Sequence, residues 1–248
     1  MPEILKTNAI VLRARSYSEA DQLLTLYTEK AGKLTAIVKG VKKPKSKLRG
    51  GVQVFSHTNV DLFLGKNLAT VTQAETINTF APLREDLLRM GCGAYLAELI
   101  DSLVPEGESD TKLFSLVLMG FYLLSVEEPR LATKVMEIRL LRELGYQPQL
   151  ESCVNCGQTK LAGYYFSSEL GGLLCVQCLR DKPGMAIVKI SGETCVILKQ
   201  LMSMELTKIN RLRISANAKR ELAEILDLHI TNCLGKKLKS KDFLDNLA

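Results

Sequence analysis

The sequence has few of the residues and none of the short motifs on which the common enzyme classes depend. Its only two histidines are His57 and His229, and neither has a Cys, Ser or Glu signature beside it. It contains no Gly-x-x-x-x-Gly-Lys-Ser/Thr loop, no Gly-x-Gly-x-x-Gly fingerprint and no acidic cluster spaced to hold magnesium. These absences argue against a histidine-based hydrolase or transferase, an ATP-driven motor and a nuclease. We therefore expect a binding protein and no enzyme activity.

Long apolar runs are also missing. The first residues, Met-Pro-Glu-Ile-Leu-Lys, do not resemble a signal peptide, and no stretch approaches the ~20 residues that cross a membrane. The 46% hydrophobic and 24% charged content is that of a protein with an ordinary core. We expect a cytoplasmic protein without membrane contact, in which Cys92, Cys195 and Cys233 are free buried thiols.

The other four cysteines form two Cys-x-x-Cys pairs, Cys153/Cys156 and Cys175/Cys178, separated by eighteen residues. A gap of two residues lets both thiolates of a pair reach one ion, and the second pair completes a tetrahedral site. Gly157 stands where the turn beneath the ion must tighten. We predict one structural Zn²⁺ per chain, because four thiolates leave no open position for catalysis. A redox pair, disulfides or an emptied site remain the alternatives.

The formal charge of +6 lies entirely in the first third of the chain. Residues 1–80 contain 12 Lys and Arg against 6 Asp and Glu, whereas residues 81–248 contain 21 of each kind. Six of the cations fall in the eleven residues from Lys39 to Arg49. A solvated loop is the ordinary explanation of such a cluster. Its position inside a β-rich segment instead favours a mobile loop that follows a phosphate backbone.

Alternating apolar residues before residue 80 predict about five strands, at 10–15, 23–28, 34–38, 52–64 and 68–78. In the first strand, Ile10, Leu12 and Ala14 would form the apolar face, and Arg13 and Arg15 would lie on the other. Five short strands with one prominent internal loop fit a closed barrel of the OB type, with an SH3-like barrel as the alternative.

Beyond residue 80 the apolar spacing is helical. It predicts helices at 87–103, 110–124, 131–144, 191–204 and 215–233, with Asp110, Ser191 and Ser215 as N-caps. A short strand at 164–166 lies between the cysteine pairs. We therefore predict an α+β protein with an OB barrel over residues 1–80, a helical domain over 81–248 and a zinc-finger insert at about 150–182.

Several segments resemble the RecO family of bacterial recombination mediators. The stretch from Lys39 to Phe55 resembles the family's basic loop, which runs into Leu-x-Gly-x-Leu-Gln-x-Phe, although Val52 stands where leucine is common. Further similar segments are Ser18-Glu-Ala-Asp21, the helix end Arg139-Leu-Leu-Arg-Glu-Leu-Gly-Tyr-Gln-Pro148, and Leu238-Lys-Ser-Lys241. Some members have lost the cysteines, but this chain keeps all four.

The resemblance implies an N-terminal OB fold and a helical second domain with an inserted zinc finger. It also implies binding of single- and double-stranded DNA, annealing of complementary strands, and assistance to RecA in replacing the single-strand-binding protein SSB. RecR is the expected partner, and the expected location is the nucleoid. A zinc-ribbon regulator, an RNA-binding module and a thiol enzyme are the alternatives from other classes.

If the protein binds DNA as the RecO resemblance implies, we expect cations of the first strand and of the basic loop to contact the DNA. The candidates are Arg13, Arg15, Lys39, Lys42, Lys43, Lys45, Lys47 and Arg49. Bases could stack on Tyr17, Tyr27, Phe55 or Phe63, although core packing is the simpler role for each aromatic ring.

SSB proteins resemble one another in ending with a short acidic and hydrophobic tail. A receptor for that tail needs an apolar surface rimmed by cations. Arg130 and Lys134 lie one helical turn apart beside Leu131, Val135 and Ile138, so we predict the possible contact with the SSB C-terminal tail there. The alternative is that these apolar residues are all core.

Overall fold

The structure is a computed structural model that describes residues 4–65, 68–182 and 184–247. The chain forms two compact units. The first contains the residues up to Pro129 together with those from Lys239 onward, and the second runs from Arg130 to Leu238. The predicted boundary at residue 80 concerns the barrel as a folding unit and stays a prediction.

Five strands of the first unit close into a barrel. They are β1 (Ile4–Ser16), β2 (Gln22–Thr28), β3 (Gly32–Val38), β4 (His57–Phe63) and β5 (Ala69–Asn78). Their order around the barrel is β1-β2-β3-β5-β4, with β3 and β5 parallel and the other neighbours antiparallel. This is the five-stranded Greek-key arrangement of the OB fold. The predicted α+β class with an N-terminal OB barrel is confirmed.

A bulge in β1 changes which residues face the barrel core. The pairing of β1 with β2 shifts between Val11 and Arg13. Consequently Ala9 and Val11 point into the core before the bulge, and Ala14 packs against the core after it. The expectation that Ile10, Leu12 and Ala14 share one face was wrong, because an extra residue in a strand inverts the alternation beyond it.

The fourth strand also begins later than predicted. It starts at His57 rather than at residue 52, because the chain turns just before it: Ser56 donates its backbone N–H to the carbonyl of Gln53, 3.1 Å away. Phe55 has a φ of 72°, a left-handed conformation that cannot continue a strand. The segment before β4 therefore belongs to the loop.

Among its described residues, the first unit also contains the helices α1 (Pro82–Glu85), α2 (Leu87–Leu103), α3 (Thr111–Val126) and α8 (Lys239–Asp245). Asp110 caps α3 as predicted, since its side chain accepts from the backbone N–H groups of Lys112 and Leu113. The ring of Phe114 in α3 lies 6.0 Å from Tyr27 and 6.2 Å from His57. Helix α3 therefore covers an outer face of the barrel.

The second unit contains most of α4 (Pro129–Glu143), followed by β6 (Tyr164–Ser167), β7 (Gly172–Leu174), α5 (Val176–Arg180), β8 (Ile187–Ile190), α6 (Gly192–Ser203), a 3₁₀ turn (Leu206–Arg211) and α7 (Ala216–Leu234). The three strands form an antiparallel sheet in the order β7-β6-β8. The predicted N-caps Ser191 and Ser215 are confirmed, since each accepts a backbone N–H from the first turn of its helix.

Two arginines at the end of α4 bind the carboxyl end of α6. Arg139 donates to the carbonyls of Leu201 and Met204, and Arg142 donates to that of Met202. The last carbonyls of a helix have no hydrogen-bond partner within the helix and carry partial negative charge. Guanidinium groups donate hydrogen bonds to these carbonyls and also place positive charge beside them. The segment from Arg139 to Pro148, which resembles the RecO pattern, therefore contains two arginines that connect α4 to α6.

Within the described ranges, no helix combines the length and the apolar character needed to cross a bilayer.

Candidate nucleic-acid interface and metal centre

The cationic loop, residues 39–51, connects β3 to the turn before β4. Its cations are displayed toward solvent: five of the six are exposed, and only the sixth, Lys42, is half-buried. They are Lys39, Lys42, Lys43, Lys45, Lys47 and Arg49. Consecutive turns shape the backbone, with Lys43 N–H donating to Gly40 and Ser46 N–H to Lys43. The loop therefore presents a dense cluster of positive charge on one part of the barrel.

Apolar residues fix this loop to the barrel. Val41 and Val52 are buried in the barrel core, and Leu48 packs against the same core. The backbone at Gly51 lies so close to Ala74 of β5 that a Cβ there would sit 2.8 Å from the Ala74 side chain. The sequence suggested a mobile loop. In the structure, the apolar residues that stand among the cations pack into the barrel core and hold the loop in place.

A second attachment joins the loop to the β1–β2 turn. The Asp21 carboxylate accepts the backbone N–H of Gly40 at 2.7 Å, and the ammonium of Lys42 donates to the carbonyl of Ser18 at 2.6 Å. The hydrogen bond from Gly40 is the main reason that the pKa of Asp21 is lowered from its usual value. Ser18 in turn accepts from the N–H groups of Ala20 and Asp21. The Ser-Glu-x-Asp turn thus holds the start of the basic loop.

The two β1 cations, Arg13 and Arg15, lie on the exposed face of the strand. They pair in register with Thr25 and Leu23 of β2. Burial tends to raise the pKa of Glu98 in α2, but hydrogen bonds from Ser240 and Lys239 lower it, and the positive charge of Arg13 lowers it further. Both arginines are therefore accessible to a ligand, as are the cations of the loop.

The aromatic residues considered for base stacking divide into two groups. Tyr27 is fully buried beneath Phe114, and Phe55 is buried with its ring 5.7 Å from that of Phe121. Neither ring can reach a base. Tyr17, at 60% exposed, and Phe63, at 37% exposed, are the two that remain accessible.

The four cysteines meet in the second unit. The sulfurs of Cys153, Cys156, Cys175 and Cys178 all lie within 4.8 Å of one another. The Cys156 and Cys175 sulfurs are 3.8 Å apart, which is the ~3.8 Å edge of a sulfur tetrahedron whose atoms lie about 2.3 Å from a central zinc ion. This donor set fits a tetrahedral, thiophilic metal ion.

Local geometry explains how the pairs meet. Gly157 has a φ of 77° and donates its N–H to the carbonyl of Cys153 at 2.9 Å, which closes the first knuckle. Cys175 caps α5, so Cys178 follows on the first helical turn and its N–H faces the Cys175 sulfur at 3.4 Å. The predicted role of Gly157 in a tight turn is confirmed.

The surroundings of the sulfurs shift the pKa values of two of the cysteines in opposite directions. Burial tends to raise the pKa of Cys153, but backbone N–H groups of Cys175, Cys156 and Asn155 lower it to about 6. Asn155 donates to the Cys178 sulfur at 3.3 Å, yet burial and the neighbouring cysteines raise the pKa of Cys178 to about 12. Four thiolates so close together repel one another unless a metal ion neutralises them.

The remaining cysteines lie outside this cluster. Cys92 and Cys195 are buried and Cys233 is half-buried, and none of these three described cysteines is in a disulfide. Burial raises the pKa of both Cys195 and Cys233. Their thiols therefore stay protonated at neutral pH, which makes them unreactive.

The predicted tail-binding residues lie on α4. Val135 and Ile138 are fully buried, whereas Arg130, Leu131 and Lys134 are half-buried. The Lys134 ammonium binds both carboxylate oxygens of the buried Glu137, at 2.7 and 2.8 Å. Of the three apolar residues, only Leu131 therefore reaches the surface, and the contact with an acidic tail stays a prediction.

The C-terminal segment Lys239-Ser-Lys241 has a structural role that its own sequence does not predict. The Glu98 carboxylate of α2 accepts the backbone N–H groups of Lys239 and Ser240 at 3.1 and 2.7 Å, and also the Ser240 hydroxyl. It thereby caps α8. No signal in the local sequence points to this contact, since the partners are 142 residues apart.

The fold and the sites define an OB-barrel protein with an anchored cationic loop and a separate four-cysteine metal module. Family models give the class a name. The model described as Recombination protein O N terminal matches residues 1–80, and the one described as Recombination protein O C terminal matches residues 84–242.

Full-length relatives agree with these matches. The chain is 40% identical over 247 residues to the DNA repair protein RecO of Pelotomaculum thermopropionicum, covering 99% of this chain and 95% of the relative. It is 38% identical over 229 residues to the RecO of Alkaliphilus metalliredigens, covering 92% of each chain. It is 32% identical over 249 residues to the RecO of Symbiobacterium thermophilum, covering 98% of each. The chain belongs to the RecO family.

Proposed function

We propose that this protein is a non-enzymatic DNA-binding mediator of recombinational repair, which binds single- and double-stranded DNA and anneals complementary single strands. The observation that carries the proposal is the cationic loop: six cations in eleven residues are held on an OB barrel by three apolar anchors. Family membership supports the repair role, because the relatives are named DNA repair proteins.

The proposed chemistry is neutralisation of phosphate charge. Lys and Arg side chains that contact phosphates release counterions, which gives affinity with little sequence preference. Such a surface lets two complementary strands approach one another, because their mutual repulsion is screened while their bases stay free to pair. Arg13 and Arg15 would extend the same track along β1.

The proposed partners come from the RecO resemblance. RecR would bind the protein, SSB would be met on coated strands through its C-terminal tail, and RecA would benefit indirectly from the cleared strand. Arg130 and Lys134 of α4 remain our candidates for the SSB tail. The setting proposed for these steps is the nucleoid in the cytoplasm.

We also propose that the metal of the four-cysteine module is a structural Zn²⁺, one per chain. Cys153, Cys156, Cys175 and Cys178 would hold it. Zinc bound by four thiolates has no open position and supplies folding free energy rather than catalysis. The 3.8 Å separation of the Cys156 and Cys175 sulfurs supports this choice of ion.

The salt dependence of strand binding tests the DNA site. If about five loop cations contact single-strand phosphates, the slope of log affinity against log salt is roughly −3.5. Replacing Lys42, Lys43, Lys45 and Lys47 together by Ala is expected to bring that slope to roughly −0.7, for the one contact that is left, and to weaken all sequences alike. Fluorescence anisotropy with a labelled oligonucleotide at several salt concentrations gives the slope.

A charge-matched control separates the loop from net charge. Lysines at four exposed positions that do not belong to the loop, Lys112, Lys160, Lys189 and Lys219, are replaced together by Ala, which removes the same total charge. This variant is expected to keep the wild-type slope. Equal slopes in the loop variant and the wild type would refute the loop as the DNA site.

A further inference from the structure

A cavity of about 380 Å³ opens beside the cationic loop, inside the first unit. Its volume falls in the range of about 300–1,000 Å³ that small-ligand sites occupy. Residues of β1, β2, the loop, the turn before β4 and α1 line it: Ala14, Gln22, Val41, Lys42, Arg49, Val52, Gln53, Val54 and Arg84.

The lining combines three kinds of chemistry. Four small apolar residues form apolar walls, two glutamines provide side-chain amides, and three cations provide positive charge. Apolar walls suit the face of a planar ring, an amide can donate to or accept from its edge, and cations suit an attached phosphate. A nucleotide unit has all three features.

Among the described residues, the side-chain amides of Gln22 and Gln53 have no hydrogen-bond partner. Packing accounts for Phe55 in the Gln-x-Phe segment, since its ring is buried against Phe121. It does not account for Gln53, whose side chain is exposed and borders the cavity.

The cations are placed where a strand on the loop would pass. Arg84 is held by hydrogen bonds from its guanidinium to the carbonyls of Val54 and Thr79, at 3.2 and 2.6 Å. Lys42 is held at the carbonyl of Ser18. Lys42 and Arg49 belong both to the cavity and to the cationic loop, so the cavity opens on the proposed phosphate track.

We propose that this cavity takes one unstacked base, with its nucleotide, from a single strand bound along the cationic loop. Gln22 and Gln53 contact the edge of the base, and Lys42, Arg49 and Arg84 surround its phosphate. An amide rotates to present either a donor or an acceptor, so the site tolerates any base. The proposal rests on the proposed function, because it assigns a base-binding position within the strand-binding surface.

A comparison of two strands of equal charge tests it. The probes are a labelled thymidine decamer and a decamer of the same length whose sugars carry no bases. The double variant Gln22→Ala/Gln53→Ala is expected to bind the thymidine decamer about tenfold more weakly, because the hydrogen bonds from the two amides to the base are lost. Its affinity for the baseless decamer is expected to equal that of the wild type, because the phosphates and cations are unchanged.

Two further variants keep the test decisive. Gln22→Leu/Gln53→Leu retains side-chain size while removing the amides, and is expected to show the same selective loss. Gln73→Ala changes an exposed glutamine of β5 that does not line the cavity, and is expected to leave both affinities unchanged. Wild-type affinity of both double variants for the thymidine decamer overturns the proposal, as does an equal loss on the two strands.

The same measurements distinguish the other failures. Wild-type protein that binds neither decamer refutes the proposed function itself rather than the cavity. Free thymidine monophosphate that binds the wild type as tightly as the decamer does, and loses that affinity in the double variants, makes a free nucleotide the ligand and overturns the assignment to a strand.

Discussion

The buried carboxylate of Glu221 is held in its charged form by hydrogen bonds from three residues. One of its oxygens accepts from the backbone N–H and the hydroxyl of Ser191, each at 2.8 Å, and from the hydroxyl of Thr194 at 2.6 Å. The other oxygen accepts from Asn217 at 2.7 Å. Burial alone would raise the pKa of Glu221, but these hydrogen bonds lower it to about 2. The carboxylate thereby joins the start of α6 to α7.

The lowered pKa predicts how the stability of the second unit depends on pH. Because the folded pKa of about 2 lies below the ordinary 4.5, Glu221 contributes its full stabilisation above pH 4.5 and loses it as the pH falls toward 2. Glu221→Gln is expected to lower the free energy of unfolding at pH 7 by about 1–3 kcal/mol. The difference between variant and wild type is expected to shrink between pH 4.5 and pH 2, as urea titrations at several pH values would measure.

Glu224→Gln is the matched control, because Glu224 lies on the same helix and is exposed. It is expected to change the free energy of unfolding by less than about 0.5 kcal/mol at any pH. A Glu221→Gln difference that stays constant from pH 7 to pH 2 would contradict the assignment of the low pKa.

Helix α2 makes close contacts on two sides through two glycines. A Cβ on Gly93 would lie 3.2 Å from two ring carbons of Phe55. A Cβ on Gly91 would lie 3.1 Å from the end of Leu247 and 3.4 Å from Leu244, near the C-terminus. The ring of Phe55 is fixed by its stacking on Phe121 and by a backbone with a φ of 72°. A Cβ on Gly91 would instead meet the far ends of two leucine side chains and the exposed ring of Phe243, at 3.4 Å.

This difference predicts opposite outcomes for two similar substitutions. Alanine is favoured over glycine in a helix by about 1 kcal/mol. Gly93→Ala is nevertheless expected to lower the free energy of unfolding by about 1–3 kcal/mol, because the added methyl group meets a ring that cannot move. Gly91→Ala is expected to be neutral or stabilising. Thermal or urea unfolding of both variants measures the contrast, and equal effects would refute the argument that Phe55 is fixed.

At the scale of the elements, the sequence correctly predicted those helix starts that have a local capping signal. Helix ends followed from the caps Asp110, Ser191 and Ser215, because the hydrogen bonds of a cap involve residues two or three positions apart. The start of β4 and the bulge of β1 were missed. The start of β4 is set by the turn at Gln53–Ser56 and the left-handed backbone of Phe55, and the bulge lies in the pairing of β1 with β2. Alternation along one strand contains neither signal.

At the scale of the whole molecule, the proposed DNA surface and the metal module lie in different compact units. The proposed zinc therefore supports the second unit and does not take part in the cationic loop. Structural zinc in small modules contributes on the order of 10 kcal/mol, so its removal should weaken the unit that holds it.

Cys153→Ser in the full chain is expected to abolish stoichiometric zinc in metal analysis and to lower the melting temperature. Single-strand binding by the variant that remains folded is expected to keep the wild-type salt slope. Cys195→Ser, which changes a buried cysteine outside the cluster, is expected to retain zinc. Purified wild-type protein without zinc, together with an unchanged melting temperature of Cys153→Ser, would refute a structural zinc site.

The sequence by itself determined the α+β class, a small N-terminal β-barrel and the four-cysteine cluster, whereas the choice of an OB over an SH3-like barrel came from the family resemblance. Each has a short-range signal: alternation with period two, helical spacing with its caps, and cysteines two residues apart. The positions of the cationic residues and the resemblance to the RecO family could also be identified from the sequence alone, because both are properties of contiguous segments.

Only the tertiary structure decided how these parts are used. In the folded protein Tyr27 and Phe55 are buried, whereas Tyr17 is exposed. The start of the cationic loop is hydrogen-bonded to Asp21, and the backbone N–H of Ser240 is hydrogen-bonded to Glu98. The tertiary structure also formed the cavity beside the loop. Residues far apart along the chain meet there because closure of the barrel brings their strands together, and no local pattern of residues encodes which distant segments will become neighbours.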